Sequence, residues 1–264
     1  MKIRNYLITG GTGSIGRAVA KQLLGNDITI FSRGEADQVV MKAEFPQFEY
    51  IIGDVRDYSE VQKAVCGMDY CFHFAALKHI DICERQPIEA VKTNVKGTLN
   101  VVEACEYWDT KLISMSSDKA INPTSVYGRT KALGEAMVNQ AEYVNIRSGN
   151  VLWSSGSVLP IWKHQIETKN EINITSAEMT RFFVHPEELA KFIISKAGEI
   201  GTFMMPMISF RLIEIAEEFV NRFGNSKTKI NITGLRAGER LHEYRDEQTS
   251  SAHCISHDLK YIFR

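Results

Sequence analysis

The stretch Tyr6-Leu7-Ile8-Thr9-Gly10-Gly11-Thr12-Gly13-Ser14-Ile15-Gly16 decides how this chain folds. Its first four residues read as a buried strand and Gly10 to Gly16 as a turn. Ile15 to Leu24 reads as a helix with Ile15, Val19, Leu23 and Leu24 on one face. Glycines at 10, 13 and 16 allow a tight turn, close backbone approach to a pyrophosphate, and close helix packing. The helix N-terminus offers free N–H groups and a positive dipole end to phosphates. A glycine triplet alone is weak evidence, but the strand–turn–helix setting strengthens it. Gly10, Thr12, Gly13, Ser14, Ile15 and Gly16 are therefore candidate dinucleotide contacts; the competing reading is a bare structural turn.

Outward from this turn, short apolar runs alternate with amphipathic stretches. Strands are expected at Ile28–Phe31, Glu49–Ile52, Tyr70–Phe74, Lys111–Met115 and Tyr143–Arg147. Helices are expected at Ser59–Val65, Ile88–Cys105 and Tyr127–Glu142. Alternation of this kind implies right-handed crossovers and a parallel sheet covered on both faces. The fold class is α/β, a Rossmann-like doubly wound parallel sheet with a small C-terminal substrate-binding cap. Residues 1–150 form the nucleotide-binding domain. Residues 151–264 form the cap, with helices at Pro160–Glu167, Pro186–Lys196 and Ile213–Phe223, strands at Ile172–Ile174 and Thr202–Met205, and some elements returning to the main sheet.

Composition bounds the partners. The 264 residues carry 31 basic and 32 acidic side chains, a net charge of -1. No global basic field exists to hold nucleic acid or an anionic membrane, so any anionic ligand is held by local groups. The five cysteines, Cys66, Cys71, Cys83, Cys105 and Cys254, are odd in number and form no CxxC pair. They read as reduced thiols in a cytoplasmic protein, with no metal site. No apolar run approaches the roughly 18–20 residues of a membrane span. The first apolar stretch ends at Gly10, so no signal peptide is expected.

The end of the second strand bears on the cofactor. An acidic residue there accepts from the ribose of NAD, whereas this chain has Phe31-Ser32-Arg33. Arg33 can pair with a 2′-phosphate and Ser32 can hydrogen-bond it, which favours NADP. The alternative is NAD, with Glu35 or Asp37 reaching the ribose. Asp54, after the third strand, is a candidate adenine contact; its other reading is a turn residue.

Strand five ends in Ser116-Ser117-Asp118-Lys119, and Tyr127 and Lys131 follow at i and i+4 on one helical face. An ammonium near Tyr127 is expected to lower its pKa. The tyrosine can then take a proton from a sugar hydroxyl while hydride leaves for a nicotinamide. Lys131 can also hold the nicotinamide ribose, and Ser117 can bond the same sugar hydroxyl.

With these residues in place the chain resembles the extended short-chain dehydrogenase/reductase family. Within it, the likeness is to the polysaccharide-biosynthesis group of UDP-N-acetylglucosamine 4,6-dehydratases. The motifs are Thr9 to Gly16, Ala75-Ala76-Leu77-Lys78-His79, Ser116 to Lys119 and Asn122 to Gly128 with Lys131. Arg147 to Val151, Gly156 to Pro160, Met179 to Phe182 and Gly238-Glu239-Arg240-Leu241-His242-Glu243 complete them.

The resemblance implies Lys119 as base at sugar C5 and Asp118 as acid at the C6 hydroxyl. The Lys119 pKa is then expected to be depressed, by burial or by Lys131. The resemblance extends the cofactor contacts to Val55, Ala75, Ala76 and Lys78. It places Asn150 near the sugar or its diphosphate. Arg181, Arg236 and Arg240 are candidates to clamp the pyrophosphate, since guanidinium forks match phosphate oxygens. Glu239 is a candidate for the uridine ribose. Asn94 is expected to brace the helix beside the site, and His79, His185 and His242 to be structural.

Three features depart from the family pattern: Ser148 in place of a tyrosine, Ser155 in place of an arginine, and a short C-terminus. The expected function is NADP-dependent, C5-inverting 4,6-dehydration of UDP-N-acetylglucosamine by a homo-oligomer, feeding surface-glycan synthesis. The alternatives are a C4 epimerase or 4-reductase of the same fold, and a non-catalytic NADP-sensing module.

Overall fold

The computed structural model describes residues 3–245, 247–252 and 258–264; Cys254 lies outside them. The first half alternates strand and helix. It runs β1 (Asn5–Thr9), α1 (Ser14–Gln22), β2 (Asp27–Ser32), α2 (Glu35–Glu44), β3 (Glu49–Ile52), α3 (Tyr58–Val65) and β4 (Tyr70–His73). It continues through α4 (Ile80–Arg85), α5 (Pro87–Val91), α6 (Gly97–Trp108), β5 (Lys111–Met115), α7 (Val126–Gln140) and β6 (Val144–Arg147). The second half holds β7 (Asn150–Val151), α8 (Val158–Lys169), β8 (Glu171–Ile174), β9 (Thr180–Val184), α9 (Pro186–Ser195) and β10 (Gly201–Met204). After these come β11 (Ile208–Arg211), α10 (Leu212–Phe223) and β12 (Lys229–Ile232).

Seven parallel strands form one sheet in the order β10-β6-β5-β4-β1-β2-β3. The order reverses between β1 and β4, where the carboxyl ends of the strands open a crevice. Leu7, Ile8, Ile30, Phe72 and Ile113 are buried on the sheet's two faces. The seventh strand comes from beyond residue 150: β10 pairs with β6, and α9 packs on α1. The remaining cap elements enclose their own core of Trp162, Phe183, Phe210 and Phe219.

The expected strands and long helices are present, with shifted ends. α2 and α4 were not anticipated. α2 buries just Gln38 and Met41 while Val39 and Val40 face outward, so its apolar spacing carries no helical stripe. The helix expected over Ile88–Cys105 runs to Trp108, and Lys92–Lys96 form a π-helical turn within it. That wide turn turns Asn94 inward, and such turns recur at functional sites. Local chemistry sets other boundaries. Asp57 caps α3 by accepting from Ser59 N, and Ser125 caps α7 by accepting from Gly128 N.

Candidate active site

The crevice deepens into a cavity of about 930 Å³. One wall is the glycine turn. Gly10 has a φ of +65°, and a Cβ there would stand 2.7 Å from Ala75 N. A Cβ on Gly16 would stand 2.5 Å from Gly11 Cα. The turn therefore packs main chain against main chain where no Cβ fits, and it lines the cavity with backbone, as a pyrophosphate site needs. Thr12, Gly13, Ser14 and Ile15 line the same wall. Val55, Ala75, Ala76 and Lys78 line the cavity beside it. Lys78 Nζ donates to Ser155 O at 2.6 Å, and Ser155 N donates to Ser14 Oγ at 3.2 Å. The loop before α8 is thus fastened across the turn.

At the outer end, Ser32 and Arg33 line the cavity together with Asp37. Ser32 Oγ accepts from Gln38 Nε2 at 3.0 Å, so its own hydrogen is free to donate to a ligand. The Arg33 guanidinium is half-exposed and 3.8 Å from Asp54. Asp54 stands apart from this wall. Its carboxylate is gripped by Arg56 at 2.6 Å, in a shallow hollow with Lys96, and that hydrogen bonding outweighs burial to lower its pKa.

Another part of the lining comes from β5, the turn after it, and α7. Ser117, Lys119, Tyr127, Lys131 and Asn150 all line the cavity. Ser117 caps the short 3-10 turn Asp118–Ala120 by accepting from Lys119 N. α7 presses on that turn at Gly128, where a Cβ would lie 2.3 Å from Lys119 O. Asn94 fastens the third side: its Nδ2 donates to Leu77 O at 2.9 Å and to Thr130 Oγ1 at 3.1 Å. It braces α7 as expected.

Asp118 is fully buried behind Ser117 and Lys119. Its Oδ1 accepts from Ser117 Oγ and from Lys119 Nζ, each at 3.0 Å. Lys119 Nζ also lies 3.4 Å from Asn150 Oδ1 and 3.4 Å from Glu243 Oε1.

Two electrostatic expectations are corrected. Burial alone would depress the Lys119 pKa, but the Asp118 and Glu243 carboxylates outweigh it and the ammonium is held above its ordinary value. Burial pushes the Tyr127 phenol up to about 12, against the pull of Lys119 and a hydrogen bond with Ser117. The i+4 lysine does not offset this, because its Nζ is turned to Met115 O at 2.7 Å. Burial also lifts the Asp118 pKa, opposed by Lys119. Glu243, by contrast, stays below its usual value: Lys119, Arg181 and Arg240 overcome its burial.

The arginine candidates separate. Arg181 is buried on the cavity wall and donates to Leu241 O and Arg240 O, with Glu239 at 3.8 Å. Glu239 lines the cavity as well. Arg240 instead donates to Ile121 O at 2.9 Å and Thr124 Oγ1 at 3.1 Å, strapping the C-terminal arm to the turn before α7. Arg236 is exposed on that arm. Sequence reasoning assigned no role to Glu243, although the Gly238–Glu243 motif that contains it was visible.

Among the described residues, no helix is long and apolar enough to cross a membrane.

The comparisons with known proteins agree with this architecture. Over 260 residues the chain is 38% identical to a Campylobacter jejuni protein named UDP-N-acetylglucosamine 4,6-dehydratase (inverting), covering 91% of this chain and 76% of that one. It is 36% identical over 261 residues to a Rickettsia bellii protein named UDP-glucose 4-epimerase, again covering 91% and 76%. The structure of Pen from Bacillus thuringiensis superposes with a TM-score of 0.89 at 35% identity, covering 92% of this chain and 80% of that one. The family described as polysaccharide biosynthesis protein matches residues 6–264. This chain belongs to that family, on the extended short-chain dehydrogenase/reductase fold.

Proposed function

We propose that the protein removes water across C5 and C6 of UDP-N-acetylglucosamine, using NADP, to give a 4-keto-6-deoxy hexosamine nucleotide with C5 inverted. One observation carries the reading: Ser117, Lys119 and Tyr127 line the same cavity as the glycine turn, with Asp118 bonded to both Ser117 and Lys119. The named relatives at 36–38% identity support a nucleotide-sugar dehydratase or epimerase.

Residues Gly10 to Gly16 would hold the pyrophosphate of the dinucleotide, Ser32 and Arg33 its 2′-phosphate, and Lys131 its nicotinamide ribose. When bound, that group accepts hydride from sugar C4 and returns it to C6. Tyr127 takes the O4 proton as phenolate, a form that burial disfavours in the empty cavity and that a cationic ring bound beside it would favour. Lys119, as free amine, takes the C5 proton, which the C4 ketone has made acidic. Asp118 supplies the proton with which the C6 hydroxyl leaves as water. Being buried, it works through Ser117 Oγ, 3.0 Å away on the cavity wall.

The Asp118–Lys119 ion pair and its neutral tautomer hold the same number of protons. A bound sugar that displaces water favours the neutral pair. Lys119 finally returns a proton to C5, and inversion requires its delivery to the face of the planar C5=C6 intermediate opposite the one it left. The Tyr127 proton passes through Ser117 to Asp118, and the site is reset. Asn150 holds Lys119 in place, and Arg181 and Glu239 meet the nucleotide end of the substrate. Arg236 and Arg240 are proposed for the pyrophosphate.

Incubation with UDP-N-acetylglucosamine, followed by mass spectrometry, should show a product lighter by one water. A product of unchanged mass from active enzyme would instead establish the C4 epimerase reading, which the Rickettsia relative's name favours. Tyr127→Phe should bind NADP normally and turn nothing over. If the wild type is equally inert on every nucleotide sugar, a binding module is the better description.

A further inference from the structure

Glu243 has no part in the chemistry just described, yet it is 1% exposed and directly behind the site. Its Oε1 is 3.4 Å from Lys119 Nζ, and its Oε2 is buried with no hydrogen-bond partner among the described residues. Leaving a buried carboxylate oxygen unpaired is costly, and the neighbouring charge is what offsets it. The segment is also held firmly: Glu243 N donates to Ser250 Oγ at 3.0 Å, and that hydroxyl contacts Thr180 Oγ1 at 2.6 Å. β9 and the C-terminal arm therefore deliver one fixed carboxylate to the turn after β5.

We propose that Glu243 is a positioning residue that holds Lys119 at the sugar and makes it a stronger base, by fixing a permanent negative charge on the side of Nζ away from the cavity.

The charged groups around Glu243 are consistent with that role. Lys119 and Asp118 face it from the turn, Arg181 from β9, and Arg240 from its own arm. Arg181 is itself 3.8 Å from Glu239, and Tyr127 lies across Lys119 on α7. Lys119 and the two arginines keep Glu243 ionised; its anion then favours a proton on Asp118 and on Lys119 alike. A lone carboxylate partner would neutralise Lys119 but leave the Asp118 proton unguarded. With Glu243 present, the couple keeps its shared proton and Lys119 draws more strongly on C5.

The inference rests on the proposed dehydration, so its test includes a readout that does not need turnover. Mass spectrometry can follow the labelling of Lys119 by acetic anhydride against pH, in wild type and in Glu243→Gln. The half-labelling pH of Lys119 should fall by about 1–3 pH units in the variant. It should stay near the wild-type value in Glu243→Asp, which keeps the charge. In turnover, Glu243→Gln should lose about tenfold in kcat with KM little changed. Its pH–rate profile should move to lower pH, and Glu243→Asp should recover most of the rate. An unchanged labelling midpoint in Glu243→Gln overturns the inference, as does a rise in KM with kcat intact. A wild type that removes no water while the midpoint still moves would sink the dehydration reading and leave the Lys119–Glu243 coupling standing.

Discussion

Lys131 Nζ donates to the carbonyl oxygen of Met115 at 2.7 Å, tying α7 to the end of β5. Burial brings the ammonium down to about 8, with Glu135 pulling the other way. Between about 8 and the ordinary 10.5, the folded chain therefore binds fewer protons at this position than the unfolded chain. Stability gains from this residue as pH rises through that window, by on the order of 3 kcal/mol. Thermal melts of wild type and Lys131→Met should show a Tm difference that shifts toward wild type as pH rises from about 8 to 10. A difference that stays flat would mean the residue keeps an ordinary pKa.

Removing Lys119 leaves Asp118 and Glu243 as neighbouring buried carboxylates with their shared cation gone. Lys119→Met should cost about 3–5 kcal/mol near neutral pH. In that variant Asp118, buried beside Glu243 and without its cation, prefers the protonated state, so the lost stability should return as pH falls and vanish again as it rises. Chemical denaturation at two pH values checks the sign. With substrate, Lys119→Ala should reduce NADP transiently and eliminate no water; full dehydration by that variant would remove Lys119 from its role.

Gly128 is the point where α7 meets the carbonyl of Lys119, with 2.3 Å available to a Cβ. Gly128→Ala must push the helix or the turn aside, at a cost of about 1–3 kcal/mol. Activity should fall further than stability does, since Tyr127 and Lys119 are the residues displaced. Wild-type turnover in the alanine variant would show that this contact gives way freely.

Arg33 faces the outer end of the cavity, half-exposed and with Asp54 at 3.8 Å. Arg33→Ala should weaken NADP binding by about 10–100-fold, the worth of a charge-assisted contact, and leave NAD binding nearly unchanged. Fluorescence titration with both dinucleotides measures this. Equal losses for the two would mean that Arg33 does not read a 2′-phosphate and would favour NAD, with Glu35 or Asp37 at the ribose.

Much of the site was legible because it is local. The glycine turn, the Ser117–Lys119 segment and the Tyr127/Lys131 spacing each lie within a few residues, and one strand end or helix face presents them. What failed to show was set by distant parts of the chain. Glu243 reaches Lys119 from the far end of the sequence, so no spacing rule joins them, and with it went the direction of the Lys119 pKa. Lys131 was counted as a neighbour of the phenol because i+4 residues share a face. That rule does not say where a long side chain ends, and Met115 O took the ammonium. The partner of the Asp54 carboxylate, Arg56 two residues on, was not read from the sequence either. α2 was missed because its buried face is a glutamine and a methionine.

The outermost partner of β6 is contributed by a segment that first travels through the cap. Severing the chain at residue 150 would strip β10 from the sheet and α9 from α1, leaving the row of N–H and C=O groups along β6 open to pairing with other chains. Such a fragment should self-associate, whereas the intact chain closes that edge with its own later residues. Because residues beyond 150 complete the main sheet, the chain should melt in a single cooperative step.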